Sequence, residues 1–171
     1  MRQISAKAMG VLEARPEDVY ATIADYHEGH PSILPKGSLY DLQVEQGGQG
    51  AGTIIRFKAR VLGVEQAFHH RVSEPEPGKV LVEQDIDTAQ NLATTFIVTP
   101  LEEGEKSHVE ICTTLNASPG LKGLIERLVI PLVNPPIYRQ ELKLLEAVAR
   151  QRASNLAHQP TIIGRKRRSK E

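Results

Sequence analysis

From residue 38 to 116 the chain alternates apolar and polar positions with a period of two, and on either side the period becomes helical. Within the alternating region, runs at 38–46, 53–62, 64–74, 79–86, 91–99 and 107–116 read as strands. Their separators are turn-forming: the glycine-rich stretch 47–52, Gly63, Pro75-Glu76-Pro77-Gly78, a link at 87–90, and Glu102-Glu103-Gly104-Glu105. Links this short imply antiparallel pairing, because a parallel crossover needs a dozen residues or more. Residues 4–14 add one strand ahead of this meander and stop at Arg15-Pro16.

Pro16 suits the first position of a helix, and Glu17 and Asp18 complement its positive end. Val19, Tyr20 and Ile23 then give 16–25 an apolar helical face. Gly29, Pro31 and Pro35 limit the next segment to a short helical turn or two. After Pro119-Gly120, helical spacing resumes through Leu121, Leu124, Ile125, Leu128 and Leu132, then Ile137, Leu142, Leu145 and Val148. A long helix over 119–155 follows, kinked or broken at 131–136 by Pro131 and Asn134-Pro135-Pro136. The fold class is α+β: about seven antiparallel strands curved around a long C-terminal helix, with two short helices after the first strand. An antiparallel sheet with one apolar face needs a cover, and only the long helix is large enough.

Composition sharpens this picture. The chain has 171 residues, 40% apolar and 25% charged, as ordinary globular proteins do. Its 21 basic and 21 acidic residues cancel, but Arg165, Lys166, Arg167, Arg168 and Lys170 sit beside a single acid, Glu171, in the last seven positions. Without that stretch, 16 basic residues face 20 acidic ones, so a mildly acidic body carries a basic tail. The expected division is a domain at 1–156 and a mobile tail at 157–171. Cys112 is the single cysteine, so no internal disulfide can form. Neither a signal-peptide core nor a stretch of about 20 apolar residues is present. These features lead to the expectation of a soluble, cytoplasmic protein.

Several motifs shed their chemistry on inspection. His27-Glu28-Gly29-His30 spaces its histidines three apart, with Gly29 between and Pro31 after, which is not the four-residue spacing of a zinc helix. No metal site and no cofactor are expected. The glycine run Gly48-x-Gly50-x-Gly52 leads into a strand, not a helix, and therefore reads as a hairpin instead of a phosphate loop. Arg56, Lys58 and Arg60 share the strand face opposite Ile55, Phe57, Ala59 and Val61, and read as a solvated outer face. In 64–74, His70 falls on the face of Val64, Phe68 and Val72. An inward imidazole either bonds a core hydroxyl such as Thr94 or Thr113, or serves a cavity as a polar or acid–base group.

Leu12-Glu13-Ala14-Arg15-Pro16-Glu17-Asp18-Val19-Tyr20, Ala24-Asp25-Tyr26, the glycine turn ending at Thr53, Phe96-Ile97-Val98-Thr99-Pro100 and the amphipathic last helix occur in an order that resembles the START-like superfamily. The resemblance is to its polyketide cyclase/dehydratase (SRPBCC) group, with the birch-allergen helix-grip fold, and covers roughly residues 4–152. The prolines of the last helix and the basic tail depart from the common pattern. The resemblance implies a cavity between sheet and helix for a small apolar or amphipathic molecule, as in carriers, sensors and cyclases. With the inward alternation, it implies a lining of Phe57, Phe68, His70, Phe96, Leu128 and Tyr138, and a mouth at Tyr26 and His30. Binding is the leading expectation, and no catalytic residue is assigned. The alternative is a metal-free cyclase/dehydratase lyase using His70 or His30 as general acid/base. A further alternative is weak contact of the tail with a partner or an anionic membrane surface; specific nucleic-acid binding is not expected.

Overall fold

The computed structural model describes residues 3–158. Seven strands form one antiparallel sheet in the order β1-β7-β6-β5-β4-β3-β2. They are β1 (Gln3–Leu12), β2 (Leu39–Gln46), β3 (Ile54–Val61), β4 (Val64–Glu76), β5 (Val80–Asp85), β6 (Ala93–Leu101) and β7 (Lys106–Asn116). Successive strands from β2 to β7 are neighbours, as their short links require, and β1 closes on β7 with Gln3 opposite Asn116. Helices α1 (Pro16–Ala24) and α2 (Gly29–Ile33) follow β1, and α3 (Gly120–Ala157) follows β7. This is the α+β architecture expected from the alternation, and the helix-grip fold that the resemblance implied.

Helix α1 starts as its sequence dictates, with Pro16 in the first turn beside Glu17 and Asp18. Arg15 Nε donates to Asp18 Oδ2 at 2.9 Å and pins the entry. Val19 and Ile23 are fully buried against Leu145 and Ala149 of α3 and Val109 and Ile111 of β7 in one cluster. Each such side chain contributes about 1.5–3 kcal/mol of burial. The glycine run grips the far end of α1: Tyr26 N–H donates to Gly48 O and Gly50 N–H to Ala24 O, both at 2.9 Å. Gly48 has φ +119, and a Cβ there would fall 2.0 Å from His27 Nε2, so only glycine fits.

Helix α3 passes through Pro131, Pro135 and Pro136 without interruption, so of the kink or break expected at 131–136 the break does not occur. The prolines remove the N–H groups that would reach the carbonyls of Arg127, Pro131 and Leu132, four residues earlier in each case. The local cost is spread over a 38-residue helix. Its C-terminal half packs on β1, α1 and α2. Arg152 Nη1 also donates to Asp25 Oδ2 at 3.3 Å. The helix ends at Ala157, past the expected boundary, and the basic residues 165–171 lie outside the described residues. The stripe Arg56, Lys58, Arg60 is outward and neutralised across strands. Arg56 pairs with Glu45 at 2.5 Å, Lys58 with Asp41 at 3.3 Å, and Arg60 with Glu65 at 3.1 Å. Among the described residues, no helix is long and apolar enough to cross a membrane.

Candidate ligand-binding site

The N-terminal half of α3 stands off from β3 and β4 and leaves a cavity of about 640 Å³. Phe57 and Phe68 are direct partners across β3 and β4, and their rings stack at 5.2 Å between centroids. The His70 ring meets both edge-on, at 4.9 and 5.7 Å. Phe96, Leu92, Leu115 and Ile137 continue the apolar wall. The rim combines the β3–β4 hairpin, where Leu62 and Val64 are 77% and 70% exposed, with Leu121 and Ile125 of α3.

The deep end is polar. Glu83, from β5, is 5% exposed and accepts a 2.6 Å hydrogen bond from Tyr26 Oη. His30 stacks on Tyr26 at 4.6 Å and places Nε2 3.4 Å from Glu83 Oε1. His30 Nδ1 lies 2.8 Å from the Ile23 carbonyl, which can only accept, so Nδ1 holds its proton. The contact of Nε2 with Glu83 is therefore attractive only when a second proton lies between them. Burial pushes the Glu83 carboxyl up, but the facing His30 and His70 rings and the Tyr26 hydroxyl together hold it below the usual range. Burial next to that carboxylate raises the Tyr26 phenol.

His70 is 2% exposed, and neither ring nitrogen has a hydrogen-bond partner. Its Nδ1 is 3.7 Å from Glu83 Oε2, too far for an ordinary hydrogen bond. The core hydroxyls that could have satisfied it are taken. Thr94 and Thr113, paired across β6 and β7, bond each other at 2.7 Å, and Thr113 shares a 2.5 Å bond with Tyr138 Oη. Asn134 Nδ2 donates to the same phenol at 3.0 Å. Burial raises the Tyr138 phenol to about 12, against the lowering effect of the Thr113 and Asn134 bonds. Glu141, on α3, is 2% exposed and lines the cavity without a side-chain hydrogen bond to any described residue. Burial first, and the facing Glu83 carboxylate second, push it up to about 8.

Of the expected lining, Phe57, Phe68, His70, Phe96 and Tyr138 all face the cavity. Leu128 does not: it is 64% exposed on the outer side of α3, in line with Leu124 and Leu132. Neither Tyr26 nor His30 is at a mouth. His30 lines the buried end, and Tyr26 lies behind it with only 1% exposed, because the glycine-run clasp pulls that corner inward. His27 is exposed while His30 is buried, so the two point apart, and no metal-type cluster forms among the described residues. Cys112 is half-buried beside Ser5 Oγ at 3.5 Å, on the face opposite Ile111 and Thr113. Glu83 and Glu141 were not anticipated. Their signals were available: Glu83 shares strand parity with buried Leu81, and Glu141 follows Ile137 and precedes Leu145 by one helical turn each.

An antiparallel sheet wrapped on a terminal helix, with an apolar cavity closed by a buried acid–imidazole cluster, defines a helix-grip fold of the ligand-binding type. Residues 3–150 match the family described as polyketide cyclase / dehydrase and lipid transport, and the chain belongs to that family. Among solved structures it is similar to the KanY protein, at 29% identity and TM-score 0.74, over 88% of this chain and 99% of that one. It also resembles the ZhuI aromatase/cyclase from Streptomyces sp. R1128, at 16% identity and TM-score 0.72, over 89% and 96% of the two chains. The third is the protein TTHA0849 from Thermus thermophilus, at 20% identity and TM-score 0.71, over 87% and 99%. The last two likenesses concern the fold alone. No sequence match is found among curated proteins.

Proposed function

We propose that the protein binds a small apolar or amphipathic molecule in the cavity, as a carrier or sensor, with the molecule's polar end against His70. The observation that carries this reading is the orphaned imidazole. Leaving a buried donor or acceptor unpaired costs about 1–3 kcal/mol, a cost that a ligand atom removes. The apolar walls add about 25 cal/mol for each Å² they cover, so body and head group are both served. Phe57, Phe68, Phe96 and Tyr138 act as walls, and His30 and Tyr26 act through Glu83. Native mass spectrometry of freshly purified protein tests it. A co-purifying mass is expected in the wild type and absent from Ala59→Trp, whose indole would occupy the space beside Phe57. A bare chain that also takes up no naphthalene-type fluorophore refutes the proposal.

A second reading is favoured by the acids now found beside both histidines. In a dehydration, a base takes the proton α to a carbonyl while an acid protonates the β-hydroxyl, which leaves as water. His70, or alternatively His30, would be the base of a metal-free cyclase or dehydratase acting on a polyketide-like substrate. The imidazolium so formed, facing the Glu83 carboxylate, would give the proton to the departing hydroxyl, which leaves as water. Turnover that survives His70→Ala, or that ignores pH, removes this reading. For the tail, binding of the full chain to anionic vesicles at low salt, lost on deletion of 165–171, is the expected mark of weak surface contact; equal binding by both forms rules it out.

A further inference from the structure

Glu83 and Glu141 face one another in the deep end of the cavity, and their hydrogen bonding is unequal. Glu83 is approached by three groups: Tyr26 Oη at 2.6 Å, His30 Nε2 at 3.4 Å and His70 Nδ1 at 3.7 Å. Glu141 has none, although it is only 2% exposed. The Tyr138 hydroxyl one turn away on the same helix is already engaged by Asn134 and Thr113. No Lys or Arg lines this end; Lys122, which does line the cavity, sits at the rim beside Glu126. Two carboxylates facing each other at the buried end of a mostly apolar cavity do not both stay charged when only one has donors. The group without donors keeps its proton, and a buried O–H needs an acceptor that the protein does not provide.

We propose that Glu141 is held as a neutral carboxylic acid whose O–H donates to a carbonyl or similar acceptor oxygen of an uncharged ligand, while His70 takes the neighbouring polar position. The assignment rests on the ligand-binding reading above and specifies its ligand class. An anionic head group would face the Glu83 carboxylate and is disfavoured. An ammonium head group would demand the opposite protonation state of Glu141.

The groups facing Glu141 are Glu83 from β5, His70 from β4, Tyr26 and His30 from the α1–α2 corner, and Tyr138 from α3 itself. Any of them can alter binding as pH changes. The assay therefore compares the wild type with Glu141→Gln, which keeps the shape and a donor but cannot ionise. Prodan, an uncharged aryl ketone whose emission moves to the red when its carbonyl is hydrogen-bonded, is titrated from pH 6 to 9.5, with naphthylmethylammonium as the cationic counterpart. Expected are red-shifted prodan emission in the wild type at pH 6 and an affinity loss of about tenfold by pH 9.5, the worth of one good hydrogen bond. Glu141→Gln lacks that loss and keeps only the change that the other groups produce in both proteins. If that variant does not fold, the infrared band of an un-ionised carboxylic acid in the wild type at pH 7, shifted by prodan, decides the same point. Prodan affinity that is equally flat in both proteins overturns the assignment. So does absence of that band, or naphthylmethylammonium binding more tightly than prodan at pH 6. Failure of prodan to bind at any pH, with no co-purifying molecule, brings down the ligand-binding reading itself; flat binding abolished by Ala59→Trp removes only the role of Glu141.

Discussion

Replacing Glu141 by Gln isolates the cost of a buried carboxyl from everything else in the cavity. The free group titrates near 4.5, and the buried one near 8. Between those values the native state keeps a proton that the unfolded chain has already released, so stability falls as pH rises through this window. At 1.36 kcal/mol per tenfold change in proton affinity, the full displacement is worth about 5 kcal/mol. Water entering the cavity beside Glu141 reduces this, and at least about 2 kcal/mol is expected to remain. For a domain of this size, that is about 4–8 °C in Tm. Thermal unfolding of wild type and Glu141→Gln at pH 5, 7 and 9 measures it. The two should melt closest together at pH 5, where both native side chains are uncharged, and the variant should melt progressively higher towards pH 9. The other titrating groups are common to both proteins and, apart from Glu83, whose carboxylate faces Glu141, cancel in the difference. A gap that does not change between pH 5 and 9 would refute the reasoning, because Glu141 would then titrate as an exposed carboxyl does.

Tyr26→Phe removes the hydroxyl that donates to Glu83 at 2.6 Å and should cost about 1.5–3 kcal/mol in urea unfolding, as bonds to charged acceptors do. Gly29→Ala would bring a Cβ to 2.4 Å from the backbone oxygen of Thr22, and a loss of about 1–3 kcal/mol is expected on the same assay. Leu145→Ala empties a site with no solvent exposure between α1 and the sheet and should cost about 2–5 kcal/mol. Leu128→Ala, by contrast, should leave Tm almost unchanged, since that side chain is mostly in water.

The strands were legible because each of them alternates and each separator holds a residue that breaks a strand. The same parity correctly turned Phe57, Phe68 and His70 inward. It failed where apolar residues occupy both faces. In β5, Val80 and Val82 occupy the outer parity while Glu83 shares the inner one with Leu81, so the buried parity carries the acid and the outer parity reads as apolar. On α3 the leucines run all round the N-terminal half, and Leu128 could not be told from its cavity-facing neighbours by spacing alone. Proline was weighed as a lost hydrogen bond that would kink or break the long helix, and the break does not follow. A helix docked along β1 and on α1 and α2 tolerates three missing bonds that an isolated one would not. The position of Tyr26 depended on a contact between segments far apart in the chain, the clasp of Gly48 on the end of α1, which no local pattern encodes.

The long helix is moored at one edge of the sheet, on β1 and the two short helices, while β2, β3 and β4 look across open space at its other half. That side of the molecule has aromatic rings but no opposing layer of its own. On the ligand-binding reading proposed above, a guest completes that side of the core, and a molecule that fits becomes a structural element as much as a cargo. Occupancy and rigidity are then the same variable, and any partner able to sense how firmly the β3–β4 hairpin is held can sense whether the cavity is full.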